Sequence, residues 1–305
     1  MASLKELRAR INSVKSTKKI TSAMKMVAAA KMHRAERRSR QAQPFAMAMQ
    51  RILVSLKQSL DGRPGLPALL TGTGKDKVHL IVPMSSDRGL AGGFNSNINR
   101  TLRNMVKRLQ EQGKTVKIFP VGLKTYVYCR SEFPNLIIGP EHVDYRLGNV
   151  EYQSADQIAA YIESLLEKQR FDVCTVIYNK FKNVMVQTPM ELQLIPLELA
   201  VKDTDRKDGA EQKNSSGLRD QADYLFEPEA EDVLHRLLPE NLRVQIFAAM
   251  LETNAGEQGA RMTAMDSATR NAGKAIDKLS LYYNRTRQAN ITNELTEVIS
   301  GANAA

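Results

Sequence analysis

Eleven consecutive residues, Ser85-Ser86-Asp87-Arg88-Gly89-Leu90-Ala91-Gly92-Gly93-Phe94-Asn95, hold the residue types best suited to gripping a ligand. They follow an apolar run and lead into a helical pattern, which is where glycine-rich loops present backbone amides to phosphate. The spacing is neither GxGxxG nor GxxxxGK[ST], and no lysine follows the last glycine. A tight structural turn is therefore expected here, with a nucleotide site as the alternative. The four histidines, His33, His79, His142 and His235, have no metal-ligand spacing, and Cys129 and Cys174 stand in unrelated contexts without a CxxC pair. Neither a zinc site nor a disulfide framework is suggested, which fits a reducing compartment. Glu294 and Glu297 are three apart on the last helical stretch, where carboxylates are ordinarily solvated. No Ser-His-Asp or Cys-His arrangement presents itself. Catalytic, cofactor-binding and metal-binding residues are all expected to be absent.

The two ends of the chain must position whatever this protein does. Over residues 1–60, fourteen Lys and Arg stand against Glu6 and Glu36, a net +12 beside +11 for the whole chain. Ser3-Leu4-Lys5-Glu6 is a capping box that starts a helix. Leu4, Leu7, Ile11 and Val14 follow at coiled-coil spacing. Thr17, Ile20, Met24, Val27 and Ala28 carry the stripe on with a drift in phase, and Phe45, Met49, Ile52, Leu56 and Leu60 resume it. Pro44 should kink or interrupt the helix, and Asp61-Gly62-Arg63-Pro64-Gly65 should end it. From Glu229 to Ile299 a second long helix is expected, on the order of 100 Å. Met262, Met265, Thr269, Ala272, Ile276, Leu279, Tyr283 and Thr286 form its heptad seam, and Gly301 sits where a C-cap belongs. Neither helix can bury its stripe alone, so an antiparallel pair is expected.

Between them the pattern changes. Strands are expected at Val78–Met84, Val116–Val121, Val173–Tyr178 and Val184–Ile195, the last two joined by a turn at Lys180–Asn183. Helices are expected at Asn95–Gln112 and Ala155–Gln169. Alternation of this kind argues a small α/β domain with a mostly parallel sheet. The fold class is thus α/β: a long antiparallel coiled coil of the terminal helices plus a small central, Rossmann-like α/β domain. The expected divisions are a shaft helix over 1–60, the α/β domain over 75–200, a polar flexible insertion over 201–223 and a second shaft helix over 224–305. No apolar run approaches the ~20 residues that span a bilayer. The Arg- and Ser-containing start could be mistaken for a transit peptide, but its helical pattern runs far beyond a presequence.

The stretch from Ile11 to Met32, INSVKSTKKITSAMKMVAAAKM, resembles the N-terminal signature of the gamma subunit of the F-type, rotary ATP synthase. So does YNRTRQANITNELTEVISGA from Tyr283 to Ala302, and SDRGLAGGFN from Ser86 is similar to the family's central motif. The resemblance covers essentially the whole chain and departs at 202–222, which is longer than in many members. It implies a non-catalytic subunit: the central rotor shaft that couples proton-driven rotation of a c-subunit ring to ATP synthesis or hydrolysis at the beta subunits. The implied partners are three alpha and three beta subunits, the epsilon subunit and the c-ring. The implied place is the cytoplasmic face of a bacterial inner membrane, peripheral, with the membrane reached only through the c-ring.

The resemblance also implies residue roles. Met24 matches a shaft position facing an acidic beta-subunit loop, with Lys25 as its charged neighbour. Arg261, Arg287, Gln288, Thr292 and Glu294 match coupling contacts on the C-terminal helix. Tyr224 matches a foot position facing the c-ring loops. The residues alone leave other readings open: a pI of about 9.6 and a basic helix also suit a nucleic-acid binder or a coiled-coil adaptor. Against the former, no base-reading module is present and aromatics do not interleave with the basic residues.

Overall fold

The computed structural model describes residues 3–60, 66–139, 147, 150–197 and 229–304. Helix α1, Leu4–Ser59, begins at the expected capping box: the Glu6 amide donates to Ser3 Oγ at 3.2 Å and the Ser3 amide to Glu6 Oε2 at 3.0 Å. Pro44 lies inside this one continuous helix, so the expected interruption does not occur. A proline removes a single amide donor from the ladder, and packing along the rest of the helix keeps it whole. Helix α6, Ala230–Ala304, likewise runs through Pro239 and through Gly301, which is helical rather than a cap.

The two helices pack along most of α1. The buried and half-buried positions of α1 keep a three-four repeat, broken only at the exposed Lys18: Leu4, Leu7, Ile11 and Val14, then Thr21, Lys25, Ala28, Met32 and Ala35, and on to Met49, Leu53 and Leu56, with Leu60 at the C-cap. This corrects the phase expected in the middle of the helix. Ile20 is 59% exposed, Val27 56% and Phe45 55%. The seam instead passes through polar and charged residues, which apolar periodicity does not register. On α6 the expected seam holds: Met265 and Ala272 are buried, and Met262, Thr269, Ile276, Leu279, Tyr283 and Thr286 half-buried, with exposed neighbours only from Arg270 onward.

The register is antiparallel. The hydroxyls of Thr21 and Thr269 lie 2.8 Å apart. Seven residues further along each helix, Val14 comes opposite Ile276. Single cysteines at Val14 and Ile276 should therefore form a disulfide under mild oxidation in the assembled protein. A chain that assembles but cross-links in no register within two turns of this pair would rule out the shaft as drawn.

Short helix α2, Ala68–Thr71, leads to strand β1, Val78–Pro83. Helix α3, Phe94–Glu111, strand β2, Thr115–Ile118, helix α4, Leu123–Glu132, and a 3₁₀ turn at Pro134–Leu136 follow. Helix α5, Tyr152–Glu167, and strands β3, Val173–Phe181, and β4, Gln187–Ile195, complete the domain. The sheet order is β2-β1-β3-β4, with β1 parallel to both neighbours and β4 antiparallel to β3. Beyond β2, Val121 keeps only an isolated parallel bridge to Met84. The hairpin turn centres on residues 182–186, not on 180–183, because Lys180 and Phe181 still pair with Thr188 and Gln187. Helix α4 was not expected: Tyr126, Val127, Tyr128 and Cys129 are weak helix formers, and only Thr125 and Cys129 of the helix are buried.

Side chains alternate across β1. Ile81 packs with Ile98, Leu102, Val106, Val116 and Ile177 under α3. Leu80 and Val82 pack on the other face with Ala159, Ile162, Val176, Leu242, Ile246 and Met250. The second face is thus covered by α5 and by α6 itself. Arg243 of α6 ties these covers together, donating to Asp156 at 2.6 Å and lying 3.5 Å from Glu163. A third cluster, Met49, Leu53, Leu56, Leu60, Leu70, Leu234 and Leu238, closes the base of the helix pair. The α/β domain is built directly onto the shaft.

Candidate functional site

The glycine-rich turn is locked by its own side chains. Ser86 and Asn95 staple its two ends: Asn95 Oδ1 accepts from the Ser86 amide at 3.1 Å and lies 2.9 Å from the Ser86 hydroxyl. Asp87 Oδ1 accepts from the amides of Leu123 and Leu147 at 3.0 and 2.9 Å. Ser85 Oγ accepts from the Thr125 amide at 3.0 Å. Four polar side chains that could serve chemistry are thus engaged in structure, Ser85 and Asp87 joining the end of β1 to α4 and Ser86 and Asn95 tying it to α3. The turn rests on the shaft: a Cβ at Gly92 would lie 3.8 Å from Ala264 Cβ of α6.

Arg261 makes the second joint between turn and shaft. It donates to Glu257 at 2.5 Å and to the Gly89 carbonyl at 3.3 Å. The Arg261 and Glu257 side chains are 12% and 10% exposed. Burial pushes the Glu257 carboxyl up, against the opposing pull of Arg261. Arg261 is thereby a clamp within the chain, and a partner would reach it only at its margin.

Further along the shaft the seam becomes polar. Lys25 Nζ lies 2.6 Å from Asp266 Oδ1, and Arg270 Nη2 3.0 Å from Asp266 Oδ2. The hydrogen bond from Lys25, helped by the charges of Lys25 and Arg270, holds the Asp266 carboxyl below its ordinary range. One step on, Lys18 passes over Gly273, where a Cβ would come 3.6 Å from its Nζ. Asp266 and Thr21 were not singled out in the sequence, whereas Thr269 belongs to the expected α6 seam. Extending the Leu4, Leu7, Ile11, Val14 repeat rigidly would have found the seam at Lys18, Thr21 and Lys25.

Met24 is half-buried beside this seam, with Ile20 and Val27 exposed at helical spacing around it. Lysines 15, 19 and 31 stand exposed on the same helix. This is an apolar strip in a cationic surround. Arg287, Gln288, Thr292 and Glu294 are all exposed. They begin some twenty residues beyond Asp266, roughly 30 Å along α6. The structure therefore does not bring the expected contacts together. Met24 and Lys25 sit mid-shaft, Arg261 at the turn, and the remaining four at the far end. Tyr224 and the 201–223 segment lie outside the described residues.

At that far end the shaft is single. The register sets Thr286 opposite Leu4, where α1 begins. Every residue from 287 to 300 is exposed. Ile291, Leu295, Val298 and Ile299 present an apolar face at helical spacing. Among the described residues, no cluster of His, Cys, Asp or Glu could hold a metal ion, and no helix is long and apolar enough to cross a membrane. Both cysteines are buried, and burial pushes the Cys129 thiol up to about 12.

The family model described as ATP synthase matches residues 3–305. An ATP synthase gamma chain of Gluconacetobacter diazotrophicus is 59% identical over the full length of both chains. That of Gluconobacter oxydans is 50% identical, again over the whole of both. Among solved structures, a chain of the central stalk and c-ring of Tetrahymena thermophila mitochondrial ATP synthase is 28% identical, with a TM-score of 0.54 over 82% of this chain and 99% of that one. A chain of the Euglena gracilis mitochondrial ATP synthase, at 21% identity and a TM-score of 0.64, covers 99% of this chain and 94% of that one and shares its fold. A paired terminal shaft with an α/β domain built on its side, matched end to end by these relatives, places this chain in the ATP synthase family, among its gamma chains.

Proposed function

We propose that this chain is the central rotor shaft of a bacterial ATP synthase. Its bare tip turns within a ring of alpha and beta subunits, and its base, with the epsilon subunit, rides on a c-subunit ring at the cytoplasmic face of the inner membrane. The observation that carries this reading is the asymmetry of the helix pair. One end is buttressed by an α/β domain and a closed leucine cluster. The other extends as a single helix whose apolar face has no cover within the described chain. A shaft must resist torsion, and close two-helix packing with a fused domain supplies that. It must also make and release contacts as it turns. Exposed cations suit this, because surface ion pairs are worth only ~0–1 kcal/mol each.

In this reading the coupling contacts are Met24 and Lys25 mid-shaft, Arg261 at the turn, and Arg287, Gln288, Thr292 and Glu294 at the tip. Tyr224 belongs to the foot. The chain drives nucleotide chemistry in its partners without performing it. Calorimetry of the full-length chain with magnesium and ATP should therefore show neither stoichiometric binding nor turnover. Tight one-to-one ATP binding, lost in Gly93→Glu, would instead make this chain a nucleotide enzyme. Affinity capture of the tagged chain from its native cell should recover alpha, beta and epsilon subunits in fixed ratio. Recovery of RNA or DNA in their place would favour the nucleic-acid reading of the basic helix and end the rotor proposal.

A further inference from the structure

A cavity of about 220 Å³ opens where three elements meet: the glycine-rich turn with the first turn of α3, the β3–β4 hairpin, and α6. Gly93, Asn97, Asn179, Gln187 and Ser267 line it, and no acidic side chain does. Two independent features make it attractive to negative charge. The first is the start of α3, an eighteen-residue helix whose N-cap is Gly93 and which receives no side-chain capping hydrogen bond. The Phe94 amide donates to the Ala91 carbonyl at 3.2 Å, while the next leading amides lack intrahelical acceptors and the helix start carries the positive end of its dipole. The second is Asn179. Its side chain is 1% exposed, and its Nδ2 has no hydrogen-bond partner.

A buried amide donor left without an acceptor is costly, and a bound acceptor would relieve it. Of the other two carboxamides in the wall, Gln187 Nε2 donates to the Val184 carbonyl at 2.8 Å and Asn97 Oδ1 accepts from Arg100 at 3.2 Å. The one side-chain atom of this wall that is buried without a partner is thus a donor. Such a site selects an oxyanion, as helix N-termini with glycine turns do elsewhere. Size narrows the class, since pockets that enclose whole organic ligands run to ~300–1,000 Å³. This cavity is below that range.

We propose that the cavity binds a small tetrahedral oxyanion, free inorganic phosphate, at the joint between turn, hairpin and shaft. Bound there, phosphate would bridge the start of α3 to Asn179 of β3 and stiffen the seat of the α/β domain on α6. A cavity of this size would not enclose a whole nucleotide, in keeping with the absence of ATP binding expected above.

The test uses the full-length chain, titrated with phosphate while chloride holds the ionic strength constant, and followed by calorimetry and by thermal shift. Saturable binding of one phosphate per chain is expected, with sulfate competing and ADP and ATP not binding. A ligand that binds only the native state raises the melting temperature in step with its concentration. Asn179→Leu keeps the side chain's volume and removes the donor. It should weaken phosphate at least about tenfold while leaving the ligand-free melting temperature unchanged or higher. Gly93→Asp provides a second route, because the position has a negative φ and a Cβ there would meet only Asn97 Nδ2, at an ordinary 3.8 Å. Its carboxylate would cap the free amides and repel the anion, abolishing binding in a folded chain. No saturable phosphate binding at tens of millimolar, or binding that survives both substitutions, overturns the proposal. ADP binding that disappears with the same two substitutions overturns it equally, by making the ligand a nucleotide's terminal phosphate.

Discussion

Met24→Lys is expected to lower the number of protons moved per ATP hydrolysed while leaving assembly and hydrolysis in place. Met24 is half-buried next to a seam whose one nearby acid, Asp266, is already shared by Lys25 and Arg270. A new ammonium at position 24 therefore finds no unshared carboxylate in that seam. Its strongest partner would be an acidic loop of a beta subunit, the neighbour that the family resemblance assigns to this face. An exposed pair would add little. A pair shielded between subunits could reach about 1–3 kcal/mol. Such a pair would form at only some shaft angles, so its strength becomes a barrier to leaving them. Each 1.4 kcal/mol is about tenfold in rate. The measurement is the ratio of proton translocation to ATP hydrolysis in membrane vesicles. A ratio equal to that of the unaltered protein would return Met24 to ordinary packing. Second-site changes that restore pumping should map to Arg261 or to Arg287, Gln288, Thr292 and Glu294. The latter four are too far along α6 to touch position 24, so their rescue would have to act through the partner ring.

Gly122→Ala is expected to cost the α/β domain about 3 kcal/mol or more, the largest loss from a single added methyl group among the described glycines. Gly122 has φ +101°, a backbone region that L residues avoid. A Cβ there would sit 2.3 Å from the Ser85 carbonyl oxygen and 2.7 Å from its carbon. These are backbone atoms of a segment held on both sides. The Ser85 amide donates to the Val121 carbonyl at 2.8 Å, and the Lys124 amide to the Ser86 carbonyl at 3.1 Å. Relief would require pulling β1 away from α4 and breaking those bonds. Gly74→Ala is the control, with φ +74° but nothing within 4 Å of a new Cβ. It should cost only the conformational term, about 1 kcal/mol. Urea melts of the full-length chain compare the two. If Gly122→Ala melts with Gly74→Ala, the close approach at Ser85 is relieved more easily than its hydrogen bonds allow.

Local sequence chemistry was enough for some features and not for others. The capping box at Ser3, the seam from Met262 to Thr286 and the strand at β1 are written in short-range patterns: a cap pairs residues three apart, and a stripe repeats within each turn. The family signatures at both ends were equally legible, because long runs of specific residues carry them. The middle of α1 was misread for the same reason the ends were read well. Lys18, Thr21 and Lys25 occupy seam positions, but only Asp266, Thr269 and Gly273 on the other helix make polar residues acceptable there. Pro44 and Gly301, read locally as breaks, were overruled by the helix around them. Tertiary structure alone decided that α6 covers one face of the sheet, that Arg261 is held between Glu257 and the Gly89 carbonyl, and that Asn179 is buried without an acceptor. Each of these depends on residues far apart in the chain meeting in space. Periodicity records which face of an element is apolar, and only the assembled fold determines what that face meets.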